Sequence, residues 1–169
     1  MSTTINSNKF LILDKDFVNF LKKYEVGNFQ LWNMKIHFGK EVINKYQLFH
    51  LSYPSQEKYI DYANSIFYTA NIKDYKWVGK DIIVSSYKDF LEKREQLRNQ
   101  KLILKCHSLK INFSESSEDS IRITDTPQIV GGSGYYVSQR LKEAIEENGF
   151  TGMKFKEITE LDNRLEVNY

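Results

Sequence analysis

The apolar run Phe10-Leu-Ile-Leu13, opened by Lys9, predicts a short buried strand, and Asp14-Lys15-Asp16 offers a helix start directly after it. Phe17, Phe20, Leu21 and Tyr24 then fall at i, i+3, i+4 and i+7, one face of an amphipathic helix that Gly27 ends. Over residues 29–38 and 46–51 aromatic and aliphatic positions mix with polar ones in a strand-like way, and Pro54-Ser55 punctuates the chain beyond them. Residues 59–70 carry two patterns: Tyr59, Ile60 and Ala63 suit the start of a short helix, whereas Ser65-Ile-Phe-Tyr-Thr69 suits a strand, because β-branched and aromatic side chains fit a pleated surface.

Residues 81–84 end a strand, and Ser85 or Ser86 can cap a helix reaching Asn99, with Tyr87, Phe90, Leu91 and Leu97 turned inward. Residues 102–113 alternate. Leu102, Leu104, Cys106 and Ser108 share one face, and Ile103, Lys105 and His107 the other. The polar stretch 114–120 separates that strand from Ile121-Arg-Ile-Thr124, which predicts a hairpin with an acidic tip. Toward the C-terminus Ser138 is a good N-cap, and Leu141, Ala144 and Ile145 give the following helix an apolar face. Gly149 suits the left-handed residue past its end, and Gly152 turns the chain into a final strand through Phe155 and Ile158. Neither an internal repeat nor a linker rich in Pro, Gly or Ser breaks the sequence. The pattern predicts one α+β domain over residues 1–169, with a mixed or largely antiparallel sheet and about three helices.

Hydrophobic (41%) and charged (27%) residues are near globular averages, which argues against a disordered or fibrous chain. Aromatics, at 14%, depart from the average and supply large contact area to cores and interfaces. A net charge of +2 does not build the strong field of a nucleic-acid binder, although its distribution is uneven. Residues 71–113 hold ten Lys and Arg against five Asp and Glu, and residues 114–169 hold six against eleven. A single cysteine, Cys106, excludes an intramolecular disulfide, and the N-terminus lacks the charged and apolar regions of a signal peptide. With no apolar run approaching the ~20 residues that span a bilayer, a cytoplasmic location and no membrane partner are expected.

Candidate chemistry is sparse, and no catalytic, cofactor or metal residues are assigned. Cys106 and His107 are adjacent, but on a strand their side chains point to opposite faces and cannot act as thiolate and base. His37, His50 and His107 lack zinc-ligand spacing. Gly131-Gly-Ser-Gly134 lacks the Lys and Ser/Thr of a phosphate loop and the spacing of a dinucleotide fold, so it reads as a loop. Glu143, Glu146 and Glu147 fit the solvated face of a helix.

The segment Tyr136-Val137-Ser138-Gln-Arg-Leu141-Lys142-Glu143-Ala144-Ile145-Glu146-Glu147-Asn148-Gly149-Phe150-Thr151-Gly152-Met153-Lys154-Phe155 resembles the tail of a group of bacterial immunity proteins of polymorphic toxin systems. There, a Val-Ser opens a Leu-Lys helix closed by Gly-x-Thr-Gly and an aromatic strand. Ser65-Ile-Phe67-Tyr68, the helix start Ser86-Tyr87-Lys-Asp-Phe90 and the strand with Arg122 are similar in order and spacing. The resemblance implies a protein without enzymatic activity that binds a cognate toxin domain and neutralises it. A pI near 8.5 departs from the acidic inhibitors of basic nucleases, so a neutral or acidic toxin is the expected partner unless the acidic last third makes the contact.

The expected partner surface comprises the acidic tip Glu115, Glu118 and Asp119, with aromatic contacts from Trp32 and Tyr135. Two other readings stand beside it: a small nucleic-acid or nucleotide-binding module using the basic middle segment, and an enzyme of unrecognised type.

Overall fold

A computed structural model describes residues 10–52, 56–123, 134–160 and 163–169. These form an α+β protein with three α-helices and a largely antiparallel set of strands. They pack as two compact units, each assembled from discontinuous segments, so no single cut in the chain separates them.

The first unit draws on residues up to 53, 117–122 and 134–155. Strand β1 (Leu11–Asp14) runs straight into helix α1 (Lys15–Leu21), whose N-cap Asp14 accepts a hydrogen bond from the Asp16 amide at 2.9 Å. That bond, followed by the opposing effect of burial and the help of Lys45, holds the Asp14 carboxyl below its usual range. The helix ends at Leu21, well before Gly27. Tyr24 still packs on Phe20, ring to ring at 5.0 Å, so the fourth position of the apolar stripe is used without helix to carry it.

Strands β2 (Phe29–Asn33) and β5 (Tyr46–Leu51) join β1 in an antiparallel sheet ordered β1-β5-β2. Between β2 and β5, β3 (Ile36–Phe38) and β4 (Glu41–Ile43) form a separate two-stranded ribbon. Helix α3 (Gln139–Glu147) completes the unit's core, in which Phe17, Phe20 and Leu21 meet Phe49, Leu51, Leu141 and Ile145. Each such side chain contributes roughly 1.5–3 kcal/mol on leaving water.

The predicted tail helix is present. Ser138 Oγ accepts from the Leu141 amide at 3.1 Å, and Gly149 adopts φ +69°. The Gly149 amide donates to Glu146 O and the Phe150 amide to Ile145 O, the two bonds of a Schellman stop. Gly152 turns the chain as expected, with φ +90°, but no strand follows through Phe155 and Ile158. Phe155 packs against the first unit's core instead, and Ile158 opens a 3₁₀ turn.

The second unit comprises residues 54–116, 123–133 and 156–169. Its four-stranded sheet is ordered β11-β8-β6-β7, from β6 (Ile60–Asn71), β7 (Trp77–Ile82), β8 (Leu102–Asn112) and β11 (Leu165–Asn168). Only β11 and β8 pair in parallel. Of residues 59–70, which offered both helix and strand, all but Tyr59 lie in one long strand, β6. Pairing with β8 at Ile60 and Asp61 and again from Ile66 to Asn71, with β7 joining on the other side over Phe67–Ala70, holds the segment extended and overrides the weak helical start.

Helix α2 (Tyr87–Asn99), capped by Ser86, covers one sheet face, where Phe90 meets Tyr62 and Phe67 at 5.5 and 6.1 Å. The β8 alternation is correct as far as Cys106 and then reverses, so that Leu109 and Ile111 are buried. A register shift against β6 near Ser108 is the cause, since one extra residue exchanges the two faces.

Strand β9 (Ser120–Ile123) does not form the predicted hairpin with β8. It pairs with β10 (Gly134–Val137), while β8 has its partners in β6 and β11. The Gly131-Gly-Ser133 part of the glycine cluster lies outside the described residues.

Candidate partner-binding surface

Of the five residues expected on the partner surface, Asp119 takes a different place. It is 3% exposed and works inside the first unit. Its carboxylate accepts from the Glu25 amide (3.0 Å), Ser138 Oγ (2.6 Å) and Arg140 Nε (3.1 Å), and pairs with Arg140 Nη2. Burial pushes the carboxyl up, but Arg140, Ser138 and the Glu25 amide together outweigh it and leave Asp119 below its ordinary range. With β9 paired to β10, the predicted acidic tip is a connection, and its last residue is drawn into the packing. Glu115 is exposed in the second unit, whereas Glu118 is half-buried in the first, near Gly27.

Trp32 and Tyr135 lie at the two ends of one series of contacts in the first unit. Trp32, 44% exposed, meets Phe10 and His50, with ring centroids at 6.0 and 6.5 Å. The Arg122 guanidinium donates to His50 Nε2 at 3.2 Å, which requires that nitrogen to be the acceptor of the ring, and lies 5.8 Å from the Tyr135 centroid. Tyr135 is half-buried against Phe49, and burial raises its hydroxyl pKa despite the opposing Arg122 charge. Beside it, burial pushes the Tyr136 hydroxyl up to about 12. Arg122, almost fully buried, entered the sequence reading only through the family resemblance. In a strand, the alternation Ile121-Arg-Ile123 sets Arg122 on the face opposite the two isoleucines, as for an outward residue, so the local pattern gave no signal of its burial.

Cys106 and His107 do face opposite ways. Cys106 is fully buried, with Sγ 2.7 Å from Ser108 O, and His107 stacks on Tyr68 at 4.0 Å on the exposed face. Among the described residues, no group of three or more His, Cys, Asp or Glu side chains is placed to hold a metal ion. No helix among them is long and apolar enough to cross a membrane.

Compared with known proteins, the chain matches no family model, no curated protein and no solved structure.

The feature that the sequence pointed to only in part is the β3–β4 ribbon, whose first strand lies at the end of the strand-like stretch 29–38. Gly39 adopts φ +61° at the first position of its two-residue turn, as a primed hairpin turn requires. Phe38, just before the turn, is 74% exposed, and Val42 is exposed as well. The register pairs Phe38 with Glu41 and His37 with Val42, so the two apolar side chains stand on opposite faces of the ribbon. Lys35 and Lys40 are also exposed. Sequence reading missed β4 because Glu41-Val-Ile43 is too short to show alternation.

Proposed function

We propose that the chain is a cytoplasmic bacterial immunity protein without enzymatic activity, which binds a cognate toxin domain and neutralises it, and that the β3–β4 arm enters a cleft of that toxin. The observation that carries this reading is the exposure of Phe38 and Val42 on opposite faces of a narrow ribbon. A flat partner could cover only one of those faces, whereas a cleft covers both, and covering both removes the exposed apolar area from water. Lys35 and Lys40 favour a neutral or acidic rim around that cleft, in keeping with the basic pI. The link to toxin neutralisation comes from the tail motif, and the arm supports protein binding.

The test is co-expression in a bacterial host with the toxin domain encoded beside this chain, together with a titration of the two purified proteins. Wild type should relieve the growth arrest and bind the toxin domain. Phe38→Asp should lose both while keeping its thermal melt, because the side chain contributes little to the unit's own packing. A wild-type chain that neither protects nor binds refutes the immunity reading. Protection that survives in both Phe38→Asp and Val42→Asp removes the arm from it.

A further inference from the structure

The second unit has a sheet face that α2 does not cover, and we infer that it binds single-stranded nucleic acid by stacking bases on Tyr75 and on the Tyr68–His107 pair. Helix α2 lies on the Phe67 side of the sheet; Tyr68, Lys105 and His107 project from the other side. Tyr68 and His107 are parallel to within 16° at 4.0 Å, and the His107 side chain is 52% exposed. Lys105 is paired across the strands with Tyr68, and its ammonium lies 4.6 Å from the centroid of Tyr75. Aromatic rings and a cation therefore follow one another from the β6–β7 turn onto β8, the arrangement by which single strands are held through stacking and backbone charge.

Tyr75 adds an independent observation. Its φ is +58°, a left-handed conformation that glycine adopts freely and a residue with a Cβ does not. The residue is 52% exposed, so burial gives limited return for a tyrosine at that position. An exposed aromatic ring held on an unfavourable backbone marks a position where the side chain serves contact with something outside the unit.

Charge on this face is mixed but ordered. Glu166 pairs with Lys110 at 3.6 Å, Asp74 with Lys76 at 4.0 Å, and Asp81 lies 3.9 Å from His107. Lys105 stands at the centre of the aromatic band, and Lys73 and Lys101 are exposed beside the turn. The low net charge of the whole chain conceals this local excess of cations.

Fluorescence anisotropy of a labelled oligouridylate of about twelve nucleotides tests the inference with the full chain alone. Wild type should saturate below about 100 µM and weaken as potassium chloride rises from about 50 to 200 mM. Tyr75→Gly removes the ring and suits the backbone, so unfolding is not an explanation for its effect; it should bind about tenfold more weakly. Lys105→Ala should reduce the salt dependence, and Phe38→Asp should bind as wild type. The inference is overturned by absence of saturable binding at low salt, by equal affinity for duplex RNA, or by wild-type affinity in Tyr75→Gly. It is equally overturned if Tyr75→Gly loses protection against the toxin while no form of the chain binds the oligonucleotide, since the face then belongs to a protein contact.

Discussion

Replacing Asp119 with alanine should destabilise the first unit by about 3 kcal/mol, a sum assembled from the groups that the carboxylate satisfies. The Arg140 side chain is 66% exposed, so once released it is solvated, and its ion pair adds little to the sum. The larger loss falls on the Glu25 amide and Ser138 Oγ, both bonded to the carboxylate in part-buried surroundings. Leaving such a donor without its acceptor costs about 1–3 kcal/mol. Ser138 is also the N-cap of α3, so the same carboxylate steadies the start of that helix.

Urea unfolding followed by tryptophan fluorescence measures this directly. Trp32 belongs to the first unit and Trp77 to the second, so a Trp77→Phe background makes the signal report the first unit. The expected result is a lower midpoint at unchanged slope. The pH dependence has a definite sign. Because the folded Asp119 is depressed, its contribution is complete above the unfolded carboxyl value of about 3.9 and is lost as pH falls through the lower folded value. The gap between wild type and Asp119→Asn should therefore stay constant from neutral pH down to about 5 and close below about 4. A loss under about 1 kcal/mol in Asp119→Ala would refute the packing role and return this carboxylate to the partner surface.

Gly149→Ala should cost about 1 kcal/mol from backbone strain alone, since a Cβ there meets nothing within 4 Å and φ is +69°; an unchanged melt would contradict the Schellman stop. Cys106→Ala should destabilise the second unit by about 1–2 kcal/mol by leaving a small void beneath α2, with toxin binding retained. Loss of binding at full stability would show instead that the thiol has chemistry of its own.

Helices were legible in this sequence where caps and apolar stripes coincide. Ser86 with Phe90 and Leu97, and Ser138 with Leu141 and Ile145, mark α2 and α3 within a residue or two, because capping and periodicity are both local. Strands were legible only between bulges. In β8 the pattern of Leu104 and Cys106 was correct until the shift at Ser108, and β6 changes face between Tyr62 and Ser65, which is why it read as part helix. Pairing was less legible than strand position. β9 has β8 before it and β10 after it in the chain, and it pairs with β10 across a connection of ten residues, outside the described residues, rather than with β8 across the shorter polar stretch. Asp119 shows the same limit at the level of one side chain. Ser, Glu and Asp around it indicate a polar segment, and solvent would satisfy such a segment anywhere on a surface. What makes Asp119 internal is the Glu25 amide, 94 positions away, and Arg140, 21 positions on; both contacts arise from tertiary packing and leave no trace in the local pattern.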